Sequence, residues 1–371
     1  MAPLPLAPGS TIGIVGGGQL GRMLSLAAAK LGYRSHIFAP EADAVAAAVA
    51  HAHTHAAYDD AMALNAFASG VDVVTFEFEN VPLETIRHLA EHRPVFPGAH
   101  ALAVAQDRVA EKQFAHGCAV PIARYAEVRS AADLAAAVEK LGLPAILKTV
   151  REGYDGKGQA LIEDASAAQA AWESIGGTRA VLEERVDFAA EFSVILVRGA
   201  DGATALWDCP ENVHGDGMLL RSAVPVRGDI AKQLPQAIAY ARAMADALGY
   251  VGVLACEFFA ASDGPLLNEF APRVHNSGHW TIEGAVTSQF ENHIRAICGL
   301  PLGSTALVGT GATMHNIIGD EAANWADYLS DPDCHLHLYG KGHGRTARKM
   351  GHATWVTLGA ARGGGAQVAR A

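Results

Sequence analysis

Two glutamates on opposite arms of one hairpin restrict what this chain can fold around. From Val251 to Trp280 the sequence reads VGVLACEFFAASDGPLLNEFAPRVHNSGHW. Apolar runs flank Ser262-Asp263-Gly264, and Asp-Gly between such runs is a strong hairpin signal. Glu257 and Glu269 each lie six residues from Asp263, so a turn centred there makes them cross-strand neighbours. Directly opposed like charges destabilise a sheet. A cation between them removes the conflict, and two carboxylates with open water positions suit Mg2+, or Mn2+, held against phosphates. Arg273-Val274-His275-Asn276-Ser277-Gly278-His279 follows directly, dense in anion-binding groups. The stretch predicts a metal–nucleotide site with an anionic substrate beside it. The competing reading is a surface hairpin with two solvated glutamates.

Composition narrows the setting. The chain has 371 residues, half of them hydrophobic, which suffices for two or three domains with a sizeable core. A net charge of -11 argues against nucleic acid as the main partner. The five cysteines are scattered, without metal spacing, so a reduced, cytoplasmic location is expected. The first residues lack the basic segment of a signal peptide. The longest uncharged stretch, Ala296 to Gly319, is broken by Gly, Pro, Thr and Asn and does not read as a membrane span.

The N-terminal part reads as a parallel α/β unit. Strand Thr11–Val15 runs into Gly16-Gly17-Gly18-Gln19-Leu20-Gly21, then a helix from Arg22 to Leu31. Taken literally, Gly16, Gly18 and Gly21 satisfy a dinucleotide fingerprint, with Glu41 near the ribose-binding position. An NAD(P)-dependent oxidoreductase is therefore a rival. The motif alone is weak, because a glycine turn feeding a helix N-terminus binds any phosphate. A buried-type strand, Val71 to Phe76, ends in Glu77-Phe78-Glu79-Asn80. Acids at the carboxyl end of a parallel strand sit where ligands bind. His51, His53 and His55 alternate; an exposed polar strand is favoured there over a metal site.

Further on, a helix over Asp107–His116 carries Arg108 and Lys112, and Ser130 opens a helix to Leu141. Strand Ala145–Thr149 places Lys148 inside an apolar run, costly unless paired. Arg151 to Gln159 holds three glycines and two basic residues, a loop able to fold over phosphates. From Glu191 long alternating strands indicate an antiparallel sheet. His214 falls in a Gly/Asp-rich link, Asn212 to Gly217. One helix is expected over Thr281–Cys298, and a basic turn lies between Lys341 and Lys349.

A lysine strand, a Gly-Lys loop and a paired-carboxylate hairpin are parts that phosphate activation needs and hydride transfer does not. Their order resembles the ATP-grasp superfamily of ligases. Within it, GGGQLGRM (16–23), FEFENV (76–81), QDR (106–108), GYDGKGQ (153–159), NEFAPRVHNSGHWT (268–281) and YGKGHGRTARKMGH (339–352) are similar to the 5-(carboxyamino)imidazole ribonucleotide synthase family over about residues 11–358. The resemblance implies an α/β and α+β ATP-grasp fold with a Rossmann-like N-terminal domain (1–106). It implies a lid (107–187), an antiparallel catalytic sheet (188–300) and a C-terminal phosphate-binding part (301–371). It also implies carboxylation of 5-aminoimidazole ribonucleotide with ATP and bicarbonate, through carboxyphosphate, in purine biosynthesis. A ligase using formate on another ribonucleotide is the neighbouring alternative. A homodimer acting on small molecules only is expected, away from nucleic acid and membrane.

Site residues carry over by position. Arg108 and Lys148 would contact ATP phosphates, under a lid of Gly153, Tyr154, Asp155, Gly156, Lys157, Gly158 and Gln159. Glu183, Glu184, Arg185 and Val186 would form the adenine strand, with Glu191 on the ribose and His214 close by. Glu257 and Glu269 would bind Mg2+, with Asn268 beside them. Arg273, His275 and Asn276, with Tyr154, would form the catalytic group. Tyr154, Asp155, Lys157 and Glu79 would contact the aminoimidazole ribonucleotide; Lys341, Arg348 and the Gly16-Gly17-Gly18-Gln19 turn would hold its phosphate. Many ATP-grasp enzymes have a third metal ligand, an Asn, where this chain has Ala271. The synthase pattern itself has Ala there.

Overall fold

The computed structural model describes residues 4–151, 153, 158–342 and 348–359. Short β-branched and aromatic runs at the N-terminus give β1 (Thr11–Val15), β2 (Arg34–Ala39), β3 (Ala52–His55) and β4 (Val73–Phe76). They form a parallel sheet in the order β3-β2-β1-β4. The strand order reverses beside β1. The glycine turn after β1 and Glu77–Asn80 after β4 therefore open on the same crevice. The first helix begins at Gln19, three residues earlier than expected. His53 and His55 lie on β3 with rings 6.2 Å apart and form no three-ligand metal cluster among the described residues.

A second sheet joins β5 (Tyr125–Val128), β6 (Ala145–Thr149), β7 (Gln159–Ile162) and β8 (Ala180–Glu184) in the antiparallel order β5-β8-β6-β7. Leading into it is helix Arg108–Gly117. Its N-cap, Asp107, accepts from the Val109 and Ala110 amides at 3.0 Å each. A cap of this kind contributes about 1 kcal/mol. The same carboxylate receives Arg179, the residue just before β8, at 2.6 Å. Ser130 caps Ala131–Leu141 by accepting from the Asp133 amide, as its sequence position implied.

The third sheet is antiparallel. It contains β9 (Glu191–Arg198), β10 (Thr204–Leu206), β11 (Glu211–Gly215), β12 (Met218–Val224), β13 (Gly252–Ala261), β14 (Gly264–Ala271), β15 (Gly311–Ile318), β16 (Cys334–Leu338) and β17 (Lys349–Thr357). The order is β14-β13-β9-β11-β12-β15-β17-β16, with β10 on β9. Two expectations need correction. The segment expected as a link around His214 is largely strand β11, because Asn212 is buried and bonded to Ser193 and Ser222. The single helix expected over 281–298 is two, Thr281–Gly284 and Gln289–Ile297. The break occurs where Ala285 bridges Leu307 and Ser288 caps the second helix. Trp280, Phe290, Ile294 and Val253 are fully or almost fully buried in the core that joins this sheet to the first. That core fixes the two halves of the crevice together.

Candidate active site

The hairpin β13–β14 positions the acids. Its turn is Ser262-Asp263, with Ala261 opposite Gly264 at φ +123°. An unbroken register from that turn would place Glu257 opposite Asn268. A bulge intervenes: Phe258 pairs Leu267 and Glu257 pairs Glu269, leaving Asn268 as the extra residue. The expected opposition of the two glutamates is thus present, set by the bulge as well as the turn. Burial first, then the Glu269 charge, pushes the Glu257 carboxyl up to about 7. Its Oε1 is buried without a hydrogen-bond partner. Such an orphaned buried oxygen facing a second carboxylate fits a hard cation.

Arg108 reaches Glu269 at 3.0 Å from the first turn of its helix. On the same helix Glu111 is buried and accepts the Phe270 amide at 2.7 Å. Burial foremost, then Glu269, raises its carboxyl to about 8. Its proximity to the hairpin was not legible, since 159 residues separate the partners.

Past β14, Arg273 is held by Glu79 through Nε and donates to the Val274 carbonyl at 3.1 Å. Burial works to raise the Glu79 carboxyl, but Arg273 overcomes it and leaves it at about 2. His275 Nε2 stands 3.5 Å from Glu257 Oε1. Burial, then Arg273, holds this imidazole well below its usual range, so it is neutral. Its Nδ1 accepts from the Ser277 amide at 3.3 Å, which places the ring proton on Nε2. Behind it runs a chain of buried hydroxyls and amides: Ser277 to Ser193 at 2.9 Å, Asn212 to Ser193 at 2.7 Å and Ser222 to Asn212 at 2.8 Å. Asn276 and Asn316 bond each other, and Asn316 donates to Leu219 O at 2.7 Å.

These groups line one cleft of about 800 Å³, walled by Gln19, Glu79, Arg108, Glu257, Glu269, Arg273, His275, Asn276, Lys341 and Arg348, with Gly153 at its edge. A side cavity of about 440 Å³ adjoins it and is lined by Gly17, Gly18, Gln19, Lys341 and Arg348. The glycine turn and the C-terminal basic residues therefore converge, as expected. The turn itself is already engaged: Gly18 and Gly21 amides donate to the buried Glu77 at 2.5 and 2.9 Å, and the Gly16 amide to Phe38 O at 2.9 Å. A Cβ on Gly16 or Gly18 would lie 2.5 Å from Glu77 atoms. The slot a dinucleotide pyrophosphate would occupy is filled by Glu77.

Other expected residues lie off the cleft walls. Lys148 is drawn to Glu183 at 2.9 Å, and that carboxylate also meets Lys112 at 3.0 Å. The Glu183 side chain is thus turned inward, between two cations. Glu184 takes Arg124 at 2.6 Å, Arg185 is exposed and its amide donates to Pro144 O, and Val186 is half-buried. Glu191 pairs with His214 at 2.6 Å on neighbouring strands beside Glu257. Gln159 opens β7, and the carbonyl of Gly158, just before it, accepts from the Thr149 amide at 2.8 Å. Tyr154, Asp155, Gly156 and Lys157 lie outside the described residues.

Comparison with known proteins agrees with this architecture. Residues 10–106 match the ribonucleotide synthetase preATP-grasp domain and residues 113–290 the ATP-grasp domain. Residues 312–361 match the phosphoribosylaminoimidazole carboxylase C-terminal domain. The chain is 48% identical to N5-carboxyaminoimidazole ribonucleotide synthase of Brucella melitensis, over 95% of this chain and 97% of that one. It is similar to the solved Thermus thermophilus synthetase, 46% identical with a TM-score of 0.87 over 94% of both chains. The Aspergillus clavatus synthase, solved with ADP and 5-aminoimidazole ribonucleotide, is 29% identical with a TM-score of 0.88 over 94% of both.

Proposed function

The chain belongs to the N5-carboxyaminoimidazole ribonucleotide synthase family of ATP-grasp ligases, and on that footing we propose how its cleft carries the reaction. It is an ATP-dependent ligase that carboxylates 5-aminoimidazole ribonucleotide to the N5-carboxyamino product in purine biosynthesis. The carboxyl source is bicarbonate. One of its oxygens attacks the terminal phosphorus of ATP, ADP leaves, and carboxyphosphate forms. The exocyclic amine of the ribonucleotide then attacks the carbonyl carbon and expels inorganic phosphate. Activation replaces a poor leaving group by a good one. The reaction requires that the intermediate be kept from water until the amine attacks.

Each residue has a defined task. Glu257 and Glu269 would hold Mg2+, which would supply charge neutralisation at the ATP phosphates. Arg108 gathers the same phosphates. Arg273, fixed in direction by Glu79, faces the charge that builds up during phosphoryl transfer. Neutral His275 donates from Nε2 and Asn276 orients bicarbonate between them. Lys341 and Arg348 take the ribonucleotide phosphate at the side cavity, next to Gly17, Gly18 and Gln19. Lys148, the strand Glu183–Val186 and the segment Gly153 to Gln159 serve ATP. Glu191 and His214 hold its ribose side.

The observation that carries this assignment is the placement of the opposed Glu257 and Glu269 in one cleft with Arg273. Phosphate release with ATP, Mg2+ and bicarbonate is expected to require 5-aminoimidazole ribonucleotide. Absence of that dependence overturns the assignment, and equal activity with formate in place of bicarbonate transfers it to a different ligase. The homodimer is checked by sedimentation equilibrium. No helix of the described residues is long and apolar enough to cross a membrane, and a cytoplasmic setting is proposed with the pathway.

A further inference from the structure

Glu183 sits between two lysines. Lys148 Nζ is 2.9 Å from one carboxylate oxygen and Lys112 Nζ is 3.0 Å from the other. Glu183 is 4% exposed and Lys112 only 2%. Lys148, at 12% side-chain exposure, is the open member. Burial works to raise the Glu183 carboxyl, and Lys148 and Lys112 together bring it down to about 2. The group therefore holds one negative and two positive charges, an excess of one cation in a poorly solvated place.

Buried charge is costly unless matched, and losing one partner of a buried pair is more costly than never having the pair. Suppose Glu183 had Lys148 alone. Drawing Lys148 onto a phosphate would then strand a carboxylate in the interior. With Lys112 present, the carboxylate keeps a cation at 3.0 Å whichever way Lys148 points. Lys112 itself is in no position to touch ligand. It is buried and stands 5.7 Å over the Tyr125 ring, whereas Lys148 is the more open of the two lysines. It lies one turn after Arg108 on the same face of the helix and deeper, with 3% of its side chain exposed against 17% for Arg108.

We propose that Lys112 is a positioning residue: it neutralises the buried Glu183 carboxylate so that Lys148 can exchange that partner for the phosphates of ATP. The proposal rests on the assignment of Lys148 to the ATP phosphates. Its consequence is that Lys112 controls nucleotide affinity without contacting nucleotide, and does so only while Glu183 is charged.

The test compares ATP binding, with Mg2+, by the full chain carrying Lys112→Met, and by Lys112→Met combined with Glu183→Gln. Removing one partner of a buried ion pair is costly enough that Lys112→Met should weaken ATP about tenfold or more. The KM for 5-aminoimidazole ribonucleotide should stay within about twofold, since its phosphate is held elsewhere. Adding Glu183→Gln removes the charge that traps Lys148, and should return at least half of the lost affinity. Equal weakness in single and double variants, or unchanged affinity in Lys112→Met, overturns the proposal. If Lys112→Met does not fold, Lys112→Gln carries the same comparison. Lys148→Met separates the two layers of inference. Wild-type ATP affinity in that variant overturns the assignment of Lys148 itself, whereas weak binding there with no rescue in the double variant overturns only the role of Lys112.

Discussion

At the scale of the residue, the site is a set of carboxylates whose protonation is decided by neighbours. Glu257 is pushed up to about 7 and Glu79 is held at about 2, though both belong to one cleft. The difference is the partner: Glu257 faces Glu269, and Glu79 faces Arg273. Replacing Glu257 or Glu269 by Gln should lower kcat by about a hundredfold, near 3 kcal/mol of transition-state stabilisation. It should also raise the Mg2+ concentration needed for half-maximal rate, read in a metal titration. An unchanged metal requirement would remove these residues from the metal site. Glu111 supplies a pH test. Its folded-state carboxyl is raised from 4.5 to about 8, by burial and then Glu269. The folded protein therefore holds that proton more tightly than the unfolded chain. The stabilisation is complete below pH 4.5 and is lost as pH rises through about 8. Glu111→Gln, which keeps an acceptor for the Phe270 amide, should gain on wild type by about 1–3 kcal/mol between pH 5 and pH 9 in chemical denaturation. Parallel curves for the two proteins would contradict it.

At the scale of the element, the hairpin was legible and its mechanism was only partly so. The Ser262-Asp263-Gly264 signal marked the turn, and the spacing made Glu257 and Glu269 near neighbours across it. The bulge at Asn268 was not visible, because nothing in Leu266-Leu267-Asn268-Glu269 distinguishes a regular strand from a bulged one. Lys148 announced itself as a charge in an apolar strand. Glu183, Lys112 and Glu111 did not, since their meaning depends on partners 35 to 159 residues away. Strand β11 was missed because Gly215, Asp216 and Gly217 suggested a link, while the buried Asn212 contacts that make it a strand come from β9 and β12. The glycine turn misled in a different way. Its spacing fits a dinucleotide, yet the glycines make room for Glu77. Gly18→Ala would set a methyl 2.5 Å from Glu77 Oε1. It should cost about 1–3 kcal/mol in denaturant unfolding, the value of stranding a buried carboxylate's donors. A neutral result would mean that Glu77 moves aside at little cost.

At the scale of the molecule, the cleft draws its walls from all parts of the chain. Gln19 and Glu79 come from the parallel unit, Arg108 and Gly153 from the segments that carry the second sheet, and Glu257, Arg273 and Lys341 from the third. Such a site binds only the folded chain, so ligand should stabilise the whole. ATP with Mg2+ at about a hundred times its Kd should add about 2.7 kcal/mol to the unfolding free energy. NADH at the same concentration should leave the thermal midpoint unmoved. Stabilisation by NADH but not ATP would reverse the assignment made from the hairpin. The fold class and the order of its parts were readable in sequence because hydrophobic periodicity is local. The joining of the parts was not, because it depends on contacts such as Thr75 to His293 at 2.9 Å, 218 residues apart.

Glu77 has a bearing on inhibitor chemistry. A glycine turn at a helix start usually offers an anchorage that many cellular diphosphates can share. Here that anchorage is already taken by the protein's own side chain. A compound built to mimic a dinucleotide would have to evict a carboxylate that two amides hold. Selective molecules should ignore the turn and span from the opposed glutamates toward Arg348, a pairing of features that dinucleotide enzymes do not offer.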